Sequence, residues 1–170
     1  RLLAKCEPAR YNMPMRIFPC DRSYGPAILN IFNDAIAQTT SIYDDDPRDS
    51  AYIDRWFDQR EQRGDPVLGA IDQDGTLMGF ASYGPFRPFQ CYRYTVEHSV
   101  HVRGDYRRQG AGEALLRALI ASARDRCYHT MIGAIDAGNL ASCRLHLKLG
   151  FEHVGTMPQV GYKFDRWLDL

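Results

Sequence analysis

The sequence has no excess of charge of either sign, because Lys and Arg together number 21 and Asp and Glu together also number 21. Nucleic acids and anionic membranes normally attract proteins with a basic surface, so this balance favours neither partner. No stretch of the chain approaches the ~20 consecutive apolar residues that a membrane-spanning helix needs. The composition therefore predicts no nucleic-acid partner and no membrane partner, and any positive field must be local.

The cysteines lack the pairing that metal sites and disulfide frameworks use. There are five of them, an odd number, scattered along the chain without a C-x-x-C pair: Cys6, Cys20, Cys91, Cys127 and Cys143. Such cysteines are typical of reduced thiols, and no charged start followed by a long apolar core marks a signal peptide. We therefore expect a cytoplasmic protein that holds no metal.

The chain has the composition of an ordinary globular protein: of its 170 residues, 45% are hydrophobic and 25% are charged. This length fills one domain of usual size and is too short for two. The first residues show neither a helical nor a strand period. We expect residues 1–14 to be a remnant or a disordered extension, and residues 15–170 to form a single domain.

Hydrophobic periodicity predicts an alternation of strands and helices that is not that of a regular doubly wound fold. The predicted order is strand (15–20), helix (26–36), helix (51–63), hairpin (66–71 and 76–83), strand (92–102), helix (to 126), strand (129–135), helix (140–149) and a closing strand pair (151–160 and 161–170). The helix at 26–36 places Ile28, Ile31, Phe32 and Ile36 on one face. The sequence therefore predicts an α/β protein with a mixed sheet.

A basic glycine loop separates the long strand from the helix that follows it: Arg107-Arg108-Gln109-Gly110-Ala111-Gly112. A helix start has free N–H groups, and glycine lets an anion approach them closely. The lysine and hydroxyl of a nucleotide-triphosphate loop are missing, and Leu115 stands where a dinucleotide fingerprint has its third glycine. The loop therefore predicts a binding site for a pyrophosphate that anchors the ligand and is not itself the reacting group.

The strand before this loop places titratable side chains on both of its faces. Val96, His98, Val100 and Val102 alternate with Glu97, Ser99 and His101. Glu97 and His101 would be ~13 Å apart, too far to share a metal ion. From the alternation alone, Glu97 is either an exposed carboxylate or a base for an amine, which has no free electron pair while protonated.

Two segments together resemble the signatures of the GNAT superfamily of acyl-CoA N-acyltransferases. The glycine loop is similar to its R/Q-x-x-G-x-G/A motif, and the segment Asn139–Phe151 is similar to its second motif, N-x-x-[AS]-x-x-L-Y-x-x-x-G-F. Segments 82–87, 95–102 and 161–170 also resemble the phosphinothricin and methionine sulfoximine N-acetyltransferase branch. The resemblance implies a mostly antiparallel mixed sheet with a splayed strand pair and flanking helices, and acetyl-CoA as the cosubstrate.

The resemblance also implies roles for individual residues. Glu97 would be the general base, and His146, which replaces the usual Tyr of the second motif, would protonate the leaving thiolate or orient the amine. The donor would be bound by the backbone near Val100, which would also meet the oxyanion, and by Val102, Arg107, Arg108, Gln109, Gly110, Ala111, Gly112, Asn139 and Ser142. The substrate would be bound by Arg87 and Arg93. Apart from the resemblance, the polar loop at 38–46 could reach over the site and offers Thr40 and Tyr43 as candidates for the pocket wall, while Cys143 is expected to be a bystander.

The resemblance implies direct transfer of an acetyl group to the α-amine of a small amino acid-like substrate, such as methionine sulfoximine, methionine sulfone or phosphinothricin. A protein or peptide N-terminal acetyltransferase and a non-catalytic CoA-binding module remain alternatives. Exposed aromatic residues at Tyr162, Phe164 and Trp167 are compatible with a homodimer, which is common among such proteins. Relatives continue past Leu170, so a C-terminal truncation is also expected.

Overall fold

The computed structural model describes residues 15–170, so the extension expected at 1–14 lies outside the described residues. The elements follow the predicted order. They are β1 (Arg16–Pro19), α1 (Gly25–Gln38), α2 (Ser50–Arg63), β2 (Val67–Ile71), β3 (Leu77–Pro85), β4 (Thr95–Val102), α3 (Ala111–Asp125), β5 (Thr130–Ile132), α4 (Leu140–Lys148), β6 (Gly161–Lys163) and β7 (Arg166–Leu168).

The first five strands form one sheet in their sequence order, β1-β2-β3-β4-β5. Neighbouring strands are antiparallel except β4 and β5, which are parallel. The parallel pair needs a crossover connection, and α3 provides it. The predicted mixed, mostly antiparallel sheet is therefore confirmed.

Helices cover both faces of this sheet. On one face, α1 and α2 bury an apolar stripe against β2 and β3, with Ile28, Phe32, Trp56, Phe57 and Phe80 at its centre. On the other face, α3 packs Leu115 and Leu119 against the sheet. The predicted face of α1 is confirmed, since Ile28, Ile31, Phe32 and Ile36 are all buried.

The ends of α2 are fixed by the residues that the sequence predicts. The Asp49 side chain accepts a hydrogen bond from the Tyr52 N–H at 2.7 Å, as an N-cap does. Gly64 ends the helix with a φ of 66°, a left-handed conformation that glycine adopts without strain. The predicted start and end of α2 are therefore confirmed.

The alternation of β4 distributes its side chains between the two layers as predicted. Val96 is part of the cluster under α3, whereas His101 contacts the rings of Phe32 and Phe80 under α1 and α2. Burial, with a further contribution from the nearby charge of Arg48, lowers the pKa of His101 to about 4. His101 is therefore a neutral member of the core at physiological pH.

The closing strand pair predicted over 151–160 and 161–170 is wrong. Residues 152–160 are exposed and irregular, and the hairpin lies entirely within 161–168 as a separate two-stranded sheet. Met157 and Leu170 exchange two backbone hydrogen bonds, at 2.7 and 3.0 Å, but these do not extend into a strand. The predicted strand contains Gly155 and Pro158, which weaken a continuous ladder.

The described range contains no helix that is long and apolar enough to cross a membrane. Four of the cysteines lie in that range, namely Cys20, Cys91, Cys127 and Cys143, and all four are free thiols.

Gly79 lies where β3 approaches β4 most closely. A Cβ at this position would lie 2.5 Å from the His101 carbonyl oxygen and 3.0 Å from the Val102 Cα, both of them backbone atoms. Gly79→Ala should therefore lower the free energy of unfolding by roughly 1–3 kcal/mol and the thermal midpoint by roughly 2–12 °C. Gly155→Ala is the matched control for calorimetry, because its Cβ would meet open space. Equal midpoints for the two variants would contradict this packing.

His101 should also make the fold sensitive to acid. Its pKa lies at about 4 in the folded state and near 6.5 when unfolded, so the unfolded chain binds more protons between these values. The free energy of unfolding should therefore fall as the pH is lowered from 6.5 to 4, by up to about 1.4 kcal/mol per pH unit from this residue. In urea titrations across this range, His101→Phe should give a shallower pH dependence. The exposed His129→Gln should keep the wild-type slope, and an unchanged slope in His101→Phe would contradict the assignment.

Candidate active site

The candidate site begins where β4 and β5 part. Their pairing covers only three residues of each strand, ending with Glu97 opposite Ile132. β4 continues for five more residues to Val102, whereas β5 ends at Ile132. An opening in the sheet therefore starts immediately after Glu97, as expected for a splayed strand pair.

The backbone of β4 points hydrogen-bonding groups into this opening. The Phe86 N–H donates to the Thr95 carbonyl and the Arg103 N–H to the Met78 carbonyl, at 3.3 and 2.9 Å. In an antiparallel pair such bonds recur at every second residue, so the odd-numbered residues of β4 bond to β3. Val100 and Val102 therefore direct their N–H and C=O groups away from β3, where an extended ligand can bond as a further strand would.

The glycine loop forms an anion cradle at the end of β4. Arg108 and Gly110 have φ values of 61° and 86°, and α3 begins at Ala111 without a side-chain cap. Within residues 15–170, the N–H groups from Arg108 to Glu113 donate to no protein acceptor. Six unbonded donors at a positive helix end suit a phosphate or pyrophosphate. Arg107 and Arg108 are exposed beside them.

Two residues hold this loop in place. The Gln109 amide nitrogen donates to the Asp105 carbonyl at 3.0 Å, while its amide oxygen is buried and has no partner among the described residues. Gly112 lies against α4, since a Cβ there would be 3.6 Å from a Leu145 methyl carbon. Gln109 thus fixes the loop from within, and Gly112 lets α4 pack beside the start of α3.

Side-chain hydrogen bonds hold both ends of α4. The Asn139 side-chain oxygen accepts from the Ser142 N–H at 3.2 Å, so Asn139 is an N-cap, and its amide nitrogen remains a donor. The Lys148 ammonium bonds the Glu113 carboxylate at 2.6 Å and ties α4 to α3. The Ser142 carbonyl lies 2.7 Å from the Nδ1 of His146, whose Nε2 is 3.2 Å from the His98 Nε2 of β4, so the first turn of α4 approaches the opening that begins after Glu97.

His146 forms a buried pair with His98. Their Nε2 atoms are 3.2 Å apart and their rings are stacked at 5.0 Å, with the edge of Phe151 against both. The His146 Nδ1 lies 2.7 Å from the Ser142 carbonyl oxygen, which only accepts, so this nitrogen carries a proton. In the neutral pair the His146 Nε2 then accepts from the His98 Nε2–H, which agrees with a buried His98 Nδ1 that has no partner among residues 15–170.

Both imidazoles are held neutral by burial. Burial, followed by the charges of His146 and His101, lowers the pKa of His98 to about 3. Burial also lowers the pKa of His146, and the bond to the Ser142 carbonyl opposes this shift.

The pairing of His98 with His146 was not predicted from the sequence. The position of His98 on the α3 face of β4 was the available signal, but the approach of α4 could not be derived from it.

A cavity of about 560 Å³ lies on the opposite face of β4 and brings Glu97 together with Arg87. The lining residues that have polar side chains are Arg60, Arg63, Ser82, Tyr83, Arg87, Glu97, His98 and Ser99. Glu97 is the one carboxylate of the lining and faces three guanidinium groups, so an anionic or zwitterionic ligand fits the cavity best. Arg60 and Arg63 were not predicted. The available signal was that Arg60 continues the buried stripe of Ile53, Trp56 and Phe57 on α2.

Three of the predicted substrate residues lie outside this lining. The Tyr43 hydroxyl donates to the Asp169 carbonyl at 3.1 Å, beside Asp136. Arg93 is exposed, stacks over Tyr94 and donates to the Gln90 carbonyl at 3.3 Å. Thr40 is half-buried in the loop after α1. Their roles toward a substrate stay predictions.

No group of three or more His, Cys, Asp or Glu side chains in the described part of the chain is arranged to hold a metal ion.

Comparisons with known proteins agree with this geometry. Residues 28–151 match the profile of the Acetyltransferase (GNAT) family. The chain is 54% identical over 145 residues to an L-methionine sulfoximine/L-methionine sulfone acetyltransferase of Pseudomonas paraeruginosa, covering 85% of this chain and 84% of that protein. It is 44% identical over 144 residues to an L-amino acid N-acyltransferase of Escherichia coli, covering 85% and 83%.

A solved structure extends the comparison to three dimensions. It is a GNAT superfamily phosphinothricin acetyltransferase from Sinorhizobium meliloti in complex with acetyl-CoA, with a TM-score of 0.90, 29% identity, and coverage of 92% of this chain and 85% of that chain. The resemblance to the methionine sulfoximine and phosphinothricin branch is thus confirmed. The chain belongs to the GNAT family of acetyltransferases.

Proposed function

We propose that this protein transfers the acetyl group of acetyl-CoA to the α-amine of a small amino acid-like substrate, such as methionine sulfone, methionine sulfoximine or phosphinothricin. The proposal rests on the cavity whose lining contains Glu97 together with Arg60, Arg63 and Arg87. This cavity lies next to the opening between β4 and β5. The substrates of the relatives are amino acids with further oxygen-bearing groups, and they fit this charge pattern.

The donor would be bound along the other side of β4. Its pyrophosphate would accept from the free N–H groups of Arg108–Glu113, with Arg107 and Arg108 beside it. The amides of its pantetheine arm would bond to the backbone of Val100 and Val102 and to the side chains of Asn139 and Ser142 at the start of α4. The thioester would supply the activated acyl group at the opening next to Glu97.

Glu97 would act as the general base. It removes a proton from the substrate ammonium, directly or through water, and so frees the electron pair that attacks the thioester carbon. The new N–C bond forms as the C–S bond breaks, and the thiolate leaves. A backbone N–H of β4 near Val100 would stabilise the negative charge that develops on the carbonyl oxygen.

For His146 the geometry favours an orienting role over proton donation. Its Nδ1–H is donated to Ser142, its Nε2 is occupied by His98, and its lowered pKa leaves it neutral at physiological pH. A neutral imidazole with both nitrogens occupied has no proton ready for the thiolate. We infer that the His98–His146 pair fixes the position of α4 at the opening.

The expected cytoplasmic location rests on the sequence alone and stays a prediction.

We further infer that a second copy of this chain covers the outer face of the β6–β7 hairpin. Tyr162 and Trp167 pair across the two strands with ring centroids 5.1 Å apart, and they are 54% and 61% exposed. Phe164 at the turn is also exposed. The opposite face is buried through Lys163 and Leu168, whereas the aromatic face is an exposed apolar patch of the kind found at interfaces.

Glu97→Gln should reduce kcat for acetylation of L-methionine sulfone by roughly 10²- to 10⁴-fold, since the variant cannot accept the ammonium proton. The KM for acetyl-CoA should stay unchanged, and release of the CoA thiol measures both. The activity should recover partly at high pH, where the free amine is abundant. Glu61→Gln is the matched control, because Glu61 bonds Arg22 on the outer side of α2. A variant that keeps most of the wild-type kcat would contradict the base assignment, and turnover only with peptide N-termini would overturn the substrate class.

Trp167→Glu should convert a dimer to a monomer, because it places a charge in the proposed apolar contact. Light scattering after size exclusion measures the mass directly over a range of concentrations. Phe89→Glu, on an equally exposed aromatic residue elsewhere, should leave the dimer intact. A wild-type protein that stays monomeric at every concentration would refute the interface.

A further inference from the structure

Arg60 lies in the cavity without an anionic partner. Its guanidinium carbon stacks 4.4 Å from the centre of the Trp56 ring, and its Nε donates to the Ser82 hydroxyl oxygen at 3.4 Å. Among residues 15–170, no carboxylate oxygen lies within 4.0 Å of Arg60. Arg60 is therefore held by an aromatic face and one long hydrogen bond.

Of the other two arginines of the cavity, Arg63 already has an ion-pair partner and Arg87 is exposed. Arg63 donates to the Asp65 carboxylate at 2.7 Å, and Asp65 is buried. Arg87 is exposed, stacks on Phe86 and donates to the carbonyl of that residue at 3.1 Å. Arg60 thus differs from both, since it is half-buried, and the charge of Asp65 acts on it only from more than 4.0 Å away.

A guanidinium group in this position is costly unless something compensates its charge. A cation removed from water without an ion-pair partner loses hydration that a ring face restores only in part. Burial and the neighbouring Arg63 lower the pKa of Arg60 to about 10, so the group remains a cation at neutral pH. The fold keeps this charge facing a cavity, where a bound anion can compensate it.

The register of the sheet places Arg60 within reach of a substrate held at Glu97. Glu97 pairs with Gly84, and the Arg60 partner Ser82 lies two residues earlier on the same face of β3. Such diagonal neighbours have Cβ atoms roughly 7–8 Å apart. In an amino acid the carboxylate carbon is only ~2.5 Å from the amine nitrogen. An amine at Glu97 therefore brings its carboxylate toward Arg60.

We propose, building on the acetyl transfer proposed above, that Arg60 binds the α-carboxylate of the amino-acid substrate through a bidentate ion pair. The stacking on Trp56 fixes the plane of the guanidinium, which a two-pronged contact with a carboxylate requires. Arg87 at the mouth is then left for the oxygen-bearing end of the substrate side chain. Arg60 is the residue that makes the enzyme select an α-amino acid over a simple amine.

The test compares two substrates that differ only in the carboxylate: L-methionine sulfone and 3-(methylsulfonyl)propylamine. In Arg60→Gln, kcat/KM for L-methionine sulfone should fall by roughly 10- to 100-fold, mainly through KM, as expected for a lost charged hydrogen-bond pair. The value for the amine without a carboxylate should change less than about threefold from its wild-type value. Arg60→Lys, which keeps the charge but not the fork, should give an intermediate loss.

Arg22→Gln is the matched control, because Arg22 bonds Asp58 and Glu61 on the outer side of α2, and it should leave both substrates unaffected. If Arg60→Gln unfolds, the Lys variant and calorimetric binding of L-methionine sulfone to it carry the same comparison. Equal losses for both substrates, or no loss for either, would overturn the role of Arg60. A wild-type enzyme that acetylates neither substrate would instead refute the proposed function.

Discussion

The end of the β4–β5 pairing after three residues is the constraint on which the rest of this structure depends. Because β5 ends at Ile132, the second half of β4 keeps one edge without a strand partner. Gly133 follows at once, and a Cβ there would come within 2.9 Å of the His98 Nε2, so the chain turns away through a residue without a side chain. The opening, the free backbone of Val100 and Val102, and the place of the His98–His146 pair all follow from this parting.

The two sides of β4 offer different groups to a negatively charged ligand. On the α3 side the anion cradle is made of backbone N–H groups at a helix start, which are permanent and carry no titratable charge. On the α1 and α2 side the charge is carried by guanidinium groups around a single carboxylate. The first arrangement suits a pyrophosphate that must bind and leave unchanged. The second suits a zwitterion whose ammonium needs a base and whose carboxylate needs a cation.

Local periodicity predicted much of the fold. The buried face of α1, the hairpin of β2 and β3, the caps of α2 and the alternation of β4 all depend on neighbours close in sequence, and the structure agrees with each of them. The predicted strand at 151–160 failed because Gly155 and Pro158 interrupt it, and Met157 and Leu170 form only one bonded pair. The glycine loop could be located from the sequence because glycine permits the left-handed backbone conformation that Gly110 adopts there.

The residues that the sequence did not reveal are those whose role arises from packing between elements. Arg60 continues the apolar stripe of α2, but only the docking of α2 on β3 brings it to Ser82 and the cavity of Glu97. His98 meets His146 only because α4 returns to the opening, 48 residues later in the chain. Conversely, Tyr43 was predicted from its polar loop, and the structure places its hydroxyl against Asp169 near the C-terminal hairpin. Contacts of this kind are set by the tertiary arrangement and not by spacing.

We expect acetyl-CoA and the substrate amine to meet at the opening where β4 and β5 separate. A crystal structure of the protein with CoA and L-methionine sulfone tests this most directly. In that structure the pyrophosphate oxygens should accept hydrogen bonds from the N–H groups of Arg108–Glu113, and the pantetheine arm should lie along Val100 and Val102. The substrate amine should lie within hydrogen-bonding distance of Glu97. A substrate bound outside the cavity of Glu97, or a CoA that does not enter the opening, would contradict it.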